Sequence, residues 1–198
     1  MPSAAEIWSS LLRPEVELTE AYWLDLARRM REARLVFGDR LSCPFLRPLF
    51  MSVADEARQR RACEVLATIG ERMARDVPGN AAMLDAFGLS DAERRLVSLE
   101  PGYDRASTAS RVDSFLLPDS LAFAEYNAES PAGFGYTERL AQVFDDLPVM
   151  DRFRTHFDVW TYPLMDTMLE ALLASYRDWG GTANPPRMVI TDFREVPT

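Results

Sequence analysis

RVDSFLLPDSLAFAEYNAESPAGFGY, residues 111–136, is the stretch from which the rest of the chain is read. Two alternating runs, 111–117 and 121–127, flank Pro118, Asp119 and Ser120, residue types that favour a turn, and together they predict a β-hairpin. With Pro118 to Ser120 as the loop, Arg111 faces Asn127 and Asp113 faces Glu125. Side chains alternate along a strand with period two, so all four project from one face. Carboxylates directly opposed on neighbouring strands repel. Compensation is therefore expected from a shifted carboxylate pKa, from the adjacent Arg111, or from a divalent cation.

Downstream, Pro131-Ala132-Gly133-Phe134-Gly135 reads as a small-residue loop before a short helix over 136–144. Such a loop is either a tight turn or a place where backbone N–H groups approach a phosphate; it carries neither the lysine of a P-loop nor GxGxxG spacing. From Pro148 or Asp151 a long helix is predicted, with Phe153, Phe157, Trp160, Leu164, Met168, Leu172 and Tyr176 on one face and a kink near Trp160 imposed by Pro163. RMVITDF, residues 187–193, has the composition of a buried strand.

Upstream of the hairpin the signals are helical. Residues 1–17 hold one apolar cluster, Ile7, Trp8, Leu11 and Leu12, suited to a short docking helix. Thr19 caps a predicted helix running to Phe37, with Gly38 as its stop. Pro44 and Pro48 force an extended connection whose Phe45, Leu46, Leu49 and Phe50 are expected to pack beneath that helix. Ser52 caps a second long helix to about Asp76, a short helix covers 81–87, and the Ser90/Glu93 capping box opens another to about Ser98. Pro101-Gly102 then turns the chain. The predicted organisation is a helical region over 1–98 followed by an α/β region over 99–198, a mixed α+β fold with a small sheet, its hairpin and flanking helices.

Composition narrows the classes. At 198 residues with a net charge of −9, the chain lacks the basic stripe a nucleic-acid partner requires. No apolar run reaches membrane-spanning length and no leader pattern opens the chain, and with only Cys43 and Cys63, both expected as reduced thiols, it reads as cytoplasmic. His156 has no metal-ligand partner at suitable spacing and no nucleophile beside it.

Arg111-x-Asp113 followed by Glu125-x-Asn127, within AEYNAESPAGFGY and ahead of the Phe144–Met150 and VITDFREVPT segments, resembles the carboxylate-amine ligases of the circularly permuted ATP-grasp superfamily, the glutathionylspermidine synthase-like group. The resemblance covers about residues 98–198. It implies a partial ATP-grasp-like fold, ATP and Mg²⁺ as cofactors, and carboxylate and amine substrates joined through an acyl phosphate. It also implies Asp113, Glu125 and Asn127 as magnesium ligands, Arg111 on the transferring phosphoryl group, and Ser130 against a peptide substrate. The lysine-bearing nucleotide subdomain of that family lies downstream of the matching region, and this sequence holds no lysine. The expectation is thus the first part of a longer ligase, inactive toward ATP by itself and given to self-association through an incompletely covered core. A non-catalytic ligand-binding or interaction module derived from the same fold is the alternative.

Overall fold

The computed structural model describes residues 2–128 and 131–191. In chain order the elements are α1 (Ala4–Leu11), α2 (Pro14–Glu17), α3 (Glu20–Glu32), β1 (Val36–Phe37), β2 (Arg40–Leu41), α4 (Val53–Asp76), α5 (Ala81–Ala86), α6 (Asp91–Val97), β3 (Arg111–Leu116), β4 (Leu121–Asn127), α7 (Phe134–Asp145), α8 (Pro148–Arg154) and α9 (Leu164–Asp178). Helices dominate, and β1–β2 and β3–β4 form two small antiparallel sheets, a mixed α+β architecture. The chain divides into two compact units, each assembled from segments on both sides of Ser98: 1–51 with 133–167 and 189–198, and 52–132 with 168–188.

The first unit is built around Trp8. Ser3 and Glu6 form a reciprocal capping box, which fixes the start of α1 and sets Trp8 one turn in. The indole is fully buried among Leu26, Met30, Leu35, Phe144 and Phe153, with Phe50 half-buried beside it. Its ring lies edge-on to Phe153 at 5.5 Å between centroids, and Nε1 donates to Leu46 O at 3.1 Å, so its one polar atom is satisfied. From α3, Leu26 and Met30, four residues apart, point into this core together.

A buried charge lies in the same unit. Glu17, 1% exposed, accepts hydrogen bonds from the Arg13 backbone N–H and guanidinium and from Arg152 Nη2; Arg152 also donates to Leu11 O. Burial pushes the Glu17 carboxyl up, but the bonds from Arg152 and Arg13 outweigh it and hold the group below the usual carboxylate range.

Three sequence expectations are corrected here. The helix opened by Thr19 ends at Glu32, not Phe37: Arg34 and Gly38 take positive φ, of 59° and 58°, and residues 36–41 form a small hairpin with Gly38 in its turn. The long kinked helix is two separate helices, because residues 155–163 carry no helix at all; Pro163 has no N–H to give and biases Tyr162 away from the helical region. The expected strand over 187–193 is absent across its described part, residues 187–191, where Val189 and Ile190 stand 85% and 95% exposed. β-propensity reports fit to a half-buried pleated surface, and among the described residues no strand pairs with this segment to provide one.

In the second unit, α4 starts at its Ser52 cap and runs to Asp76 as expected, α5 is capped by Asn80, and α6 opens with the Ser90/Glu93 capping box. The hairpin β3–β4 packs on α4.

Candidate functional site

The hairpin closes more tightly than its sequence suggested. Leu117 and Ser120 exchange backbone hydrogen bonds of 2.9 and 3.4 Å, which leaves Pro118-Asp119 as a two-residue loop. That register, continued unbroken, would oppose Asp113 to Ala124 and turn Glu125 to the other face. Instead Ser114 pairs with Phe123 and Asp113 with Glu125, so Ala124 is an extra residue in β4. This bulge re-aims the strand. Beyond it Asp113 faces Glu125 and Arg111 faces Asn127, the expected pairs, reached through a shorter turn plus a bulge.

Polar bonds to α4 hold the back of the hairpin. Gln59 Nε2 donates to Ser114 Oγ at 2.9 Å, and Arg58 donates to Leu117 O at 2.8 Å and Pro118 O at 3.2 Å. Gly70 lets Tyr126 lie against the helix: a Cβ at that position would stand 3.3 Å from the phenol oxygen. The loop entering β3 is anchored by Glu71, whose carboxylate accepts the Ala106 and Ser107 backbone N–H groups, while Ser107 Oγ bonds to Ala128 O just past β4. Both ends of the hairpin are tied.

The front face carries the four polar residues. Arg111 Nε donates to Asp113 Oδ1 at 2.9 Å, and its Nη1 reaches Ala132 O at 3.0 Å. The arginine, one of the three compensations expected for the facing carboxylates, is present in the geometry. It engages Asp113; Glu125 opposite is exposed and has no ion-pair partner among the described residues. The pair is open to water, with Arg111 41% and Asp113 45% exposed. Asn127 Nδ2, in contrast, is buried without a hydrogen-bond partner. Leaving such a donor unmet costs about 1–3 kcal/mol.

The donor types on this face bear on the implied Mg²⁺. Two carboxylates and a carboxamide are all hard oxygen donors, which suits Mg²⁺, an ion that takes one or two carboxylates and completes its shell with water and phosphate oxygens. Among the described residues no group of three or more His, Cys, Asp or Glu is gathered to hold a metal by itself. A closed structural metal site of the kind built from four such ligands is therefore not formed by the described residues. Ser130, expected against the substrate, lies outside the described residues.

The remaining candidates are bland. His156 is exposed, and burial pushes the thiols of Cys43 and Cys63 up, away from the thiolate form a nucleophile needs. Gly133, at φ 115°, caps α7 with no side-chain bond to the first turn, so that turn depends on glycine; the helix starts at Phe134, earlier than its sequence suggested. The Glu17–Arg152 pair escaped the sequence reading, since 135 residues separate its members and Glu-Val-Glu-Leu has the pattern of a solvated segment. No helix among the described residues is long and apolar enough to cross a membrane. No protein-family model, no curated protein and no solved structure matches this chain.

Proposed function

We propose that the front face of the β3–β4 hairpin is the cation and phosphoryl end of an ATP-dependent carboxylate-amine ligase-like site. The observation that carries this reading is the pairing of Arg111 with Asn127 and of Asp113 with Glu125 on one face of the hairpin. Asp113, Glu125 and Asn127 would hold Mg²⁺ together with ATP, and the ion when bound supplies charge neutralisation at the phosphate oxygens. Arg111 would stabilise the equatorial oxygens of the phosphoryl group as it moves, because a planar guanidinium presents several donors to a phosphate at once. In the implied reaction a substrate carboxylate oxygen attacks the γ-phosphorus and ADP leaves. The amine nitrogen then attacks the acyl carbon and inorganic phosphate leaves.

One observation favours a second reading, a ligand-binding or interaction module without turnover. The chain contains no lysine, the residue that commonly grips nucleotide phosphates. The two readings separate in a calorimetric titration with Mg²⁺ and ATP. The ligase-like site gives binding heat in the wild type and at least about tenfold weaker binding in Asn127→Ala, about 1.4 kcal/mol. Absence of heat in both proteins refutes it and leaves the second reading.

A further inference from the structure

The Arg111–Asp113 contact has two faces. In the geometry described, the same guanidinium that would meet an oxyanion is occupied by Asp113 and by Ala132 O, and the same carboxylate that would meet a cation is occupied by the guanidinium. With Arg111, Asp113 and Glu125 counted together, this face carries one net negative charge. It thus repels an incoming carboxylate or phosphate. We propose that Arg111 guards Asp113 and is released by the cation: when a divalent cation takes the Asp113 and Glu125 carboxylates, Arg111 leaves Asp113 and becomes the oxyanion-binding group. This rests on the cation reading of the hairpin above and adds an order to it, cation first and anion second.

Three features of the structure support the exchange. The pair spans positions two apart on one strand, and both side chains are well exposed, so it is weak and water can replace either partner as they separate. Arg111 donates to Asp113 through Nε and to Ala132 O through Nη1, which leaves Nη2 unbonded among the described residues and open to an entering oxyanion. Asn127, paired with Arg111 across the strands, has an amide nitrogen that makes no hydrogen bond among the described residues and so does not hold the guanidinium in place. Adding a doubly charged ion turns the face from net negative to net positive, which makes oxyanion binding depend on the cation and, by linkage, cation binding depend on the oxyanion by the same factor.

The test follows the arginine itself. The Nε–Hε resonance of Arg111, assigned by its loss in Arg111→Gln, is recorded as Mg²⁺ alone is titrated, together with the carboxyl carbons of Asp113 and Glu125. The proposal expects the Hε signal to shift and exchange faster with solvent in step with the carboxyl shifts. Inorganic phosphate is then titrated with and without Mg²⁺. Wild type is expected to bind it at least about tenfold tighter with the cation, Asp113→Asn to bind it equally with or without, and Arg111→Gln to bind Mg²⁺ about two- to fivefold tighter than wild type, the worth of an exposed pair. Backbone amide spectra of β3 and β4 verify that each variant keeps the hairpin. Carboxyl shifts with an unchanged Arg111 Hε signal overturn the release and leave the cation site standing. No shift at either carboxylate overturns both.

Discussion

Replacing Glu17 by Gln tests whether the first unit is held by a buried charge. The change keeps shape and one acceptor oxygen, so no cavity forms, but it removes the charge and puts an N–H₂ group toward donors. Removing one partner of a fully buried ion pair costs about 3–5 kcal/mol. That range is an upper bound here, because Arg152 is 30% exposed and keeps its bonds to Leu11 O, while Arg13 is more open still. Water can reach both cations after the charge is gone. What remains is roughly one strong charge-assisted bond, about 2 kcal/mol. The sign with pH follows from the depressed carboxyl. Above the unfolded-state value, about 4.3, Glu17 is charged in both states and its stabilisation is complete; as pH falls through that value toward the lower folded-state value, the stabilisation is lost. Urea unfolding, followed by the emission of the buried Trp8 against a Trp8→Phe control, should give a wild-type advantage of about 2 kcal/mol at pH 7 that narrows steadily from about pH 5 downward. A difference under about 0.5 kcal/mol at pH 7, or one that stays constant from pH 7 to pH 3, refutes the reasoning.

Two further outcomes follow from the same kind of accounting. Tyr22 buries a hydroxyl without a partner, in a place where burial first and the Glu17 charge second push the phenol up; Tyr22→Phe removes an unmet polar group and should raise stability by about 1 kcal/mol in the same urea assay, and a loss of that size would mean the hydroxyl is in fact bonded. At Gly181 an added Cβ would stand 2.2 Å from the Tyr176 ring, whose hydroxyl accepts the Ala183 N–H, so Gly181→Ala should expel the ring at a cost of about 2 kcal/mol and lower the melting temperature by about 4–8 °C; a melting temperature within about 1 °C of wild type refutes it.

Local signals carried most of the fold that the sequence disclosed. Thr19, Ser52 and the Ser90/Glu93 box each accept the backbone N–H they were expected to accept, because a cap is decided within four residues. The facing pairs at Arg111 and Asp113 were legible for a similar reason, although the route to them was not: the alternation fixes which residues share a face, whereas nothing local distinguishes a three-residue loop from a two-residue loop with a bulge at Ala124. What failed was non-local. Trp8 sits in a segment that reads as weak, and partners distant along the chain, Phe50, Phe144 and Phe153, help make it the centre of a core. Glu17 is buried where Arg152, 135 residues away, meets it alongside the local Arg13. The 187–191 segment has strand composition, but a strand exists only where another accepts its ladder.

That division bears on where a site can reside. The first unit places nearly all the fully buried apolar side chains, from Trp8 to Phe153, around one core, while in the second only Val77 and Leu84 join them among the described residues. The hairpin is accordingly held less by apolar burial than by individual bonds: Arg58 and Gln59 on its turn and back, Glu71 and Ser107 at its entrance, and Arg111 reaching Ala132 on its front. Bonds of this kind, partly exposed, contribute about 1 kcal/mol each and can be exchanged singly, whereas a close-packed core yields only as a whole. The exchange proposed for Arg111 calls for the first kind of support. The bulge at Ala124 belongs to the same logic, since it leaves the Ser114 side of the hairpin docked on α4 while turning Glu125 to face Asp113. The strands are anchored at the back, while Arg111 and Asp113 on the other face stand partly exposed to water.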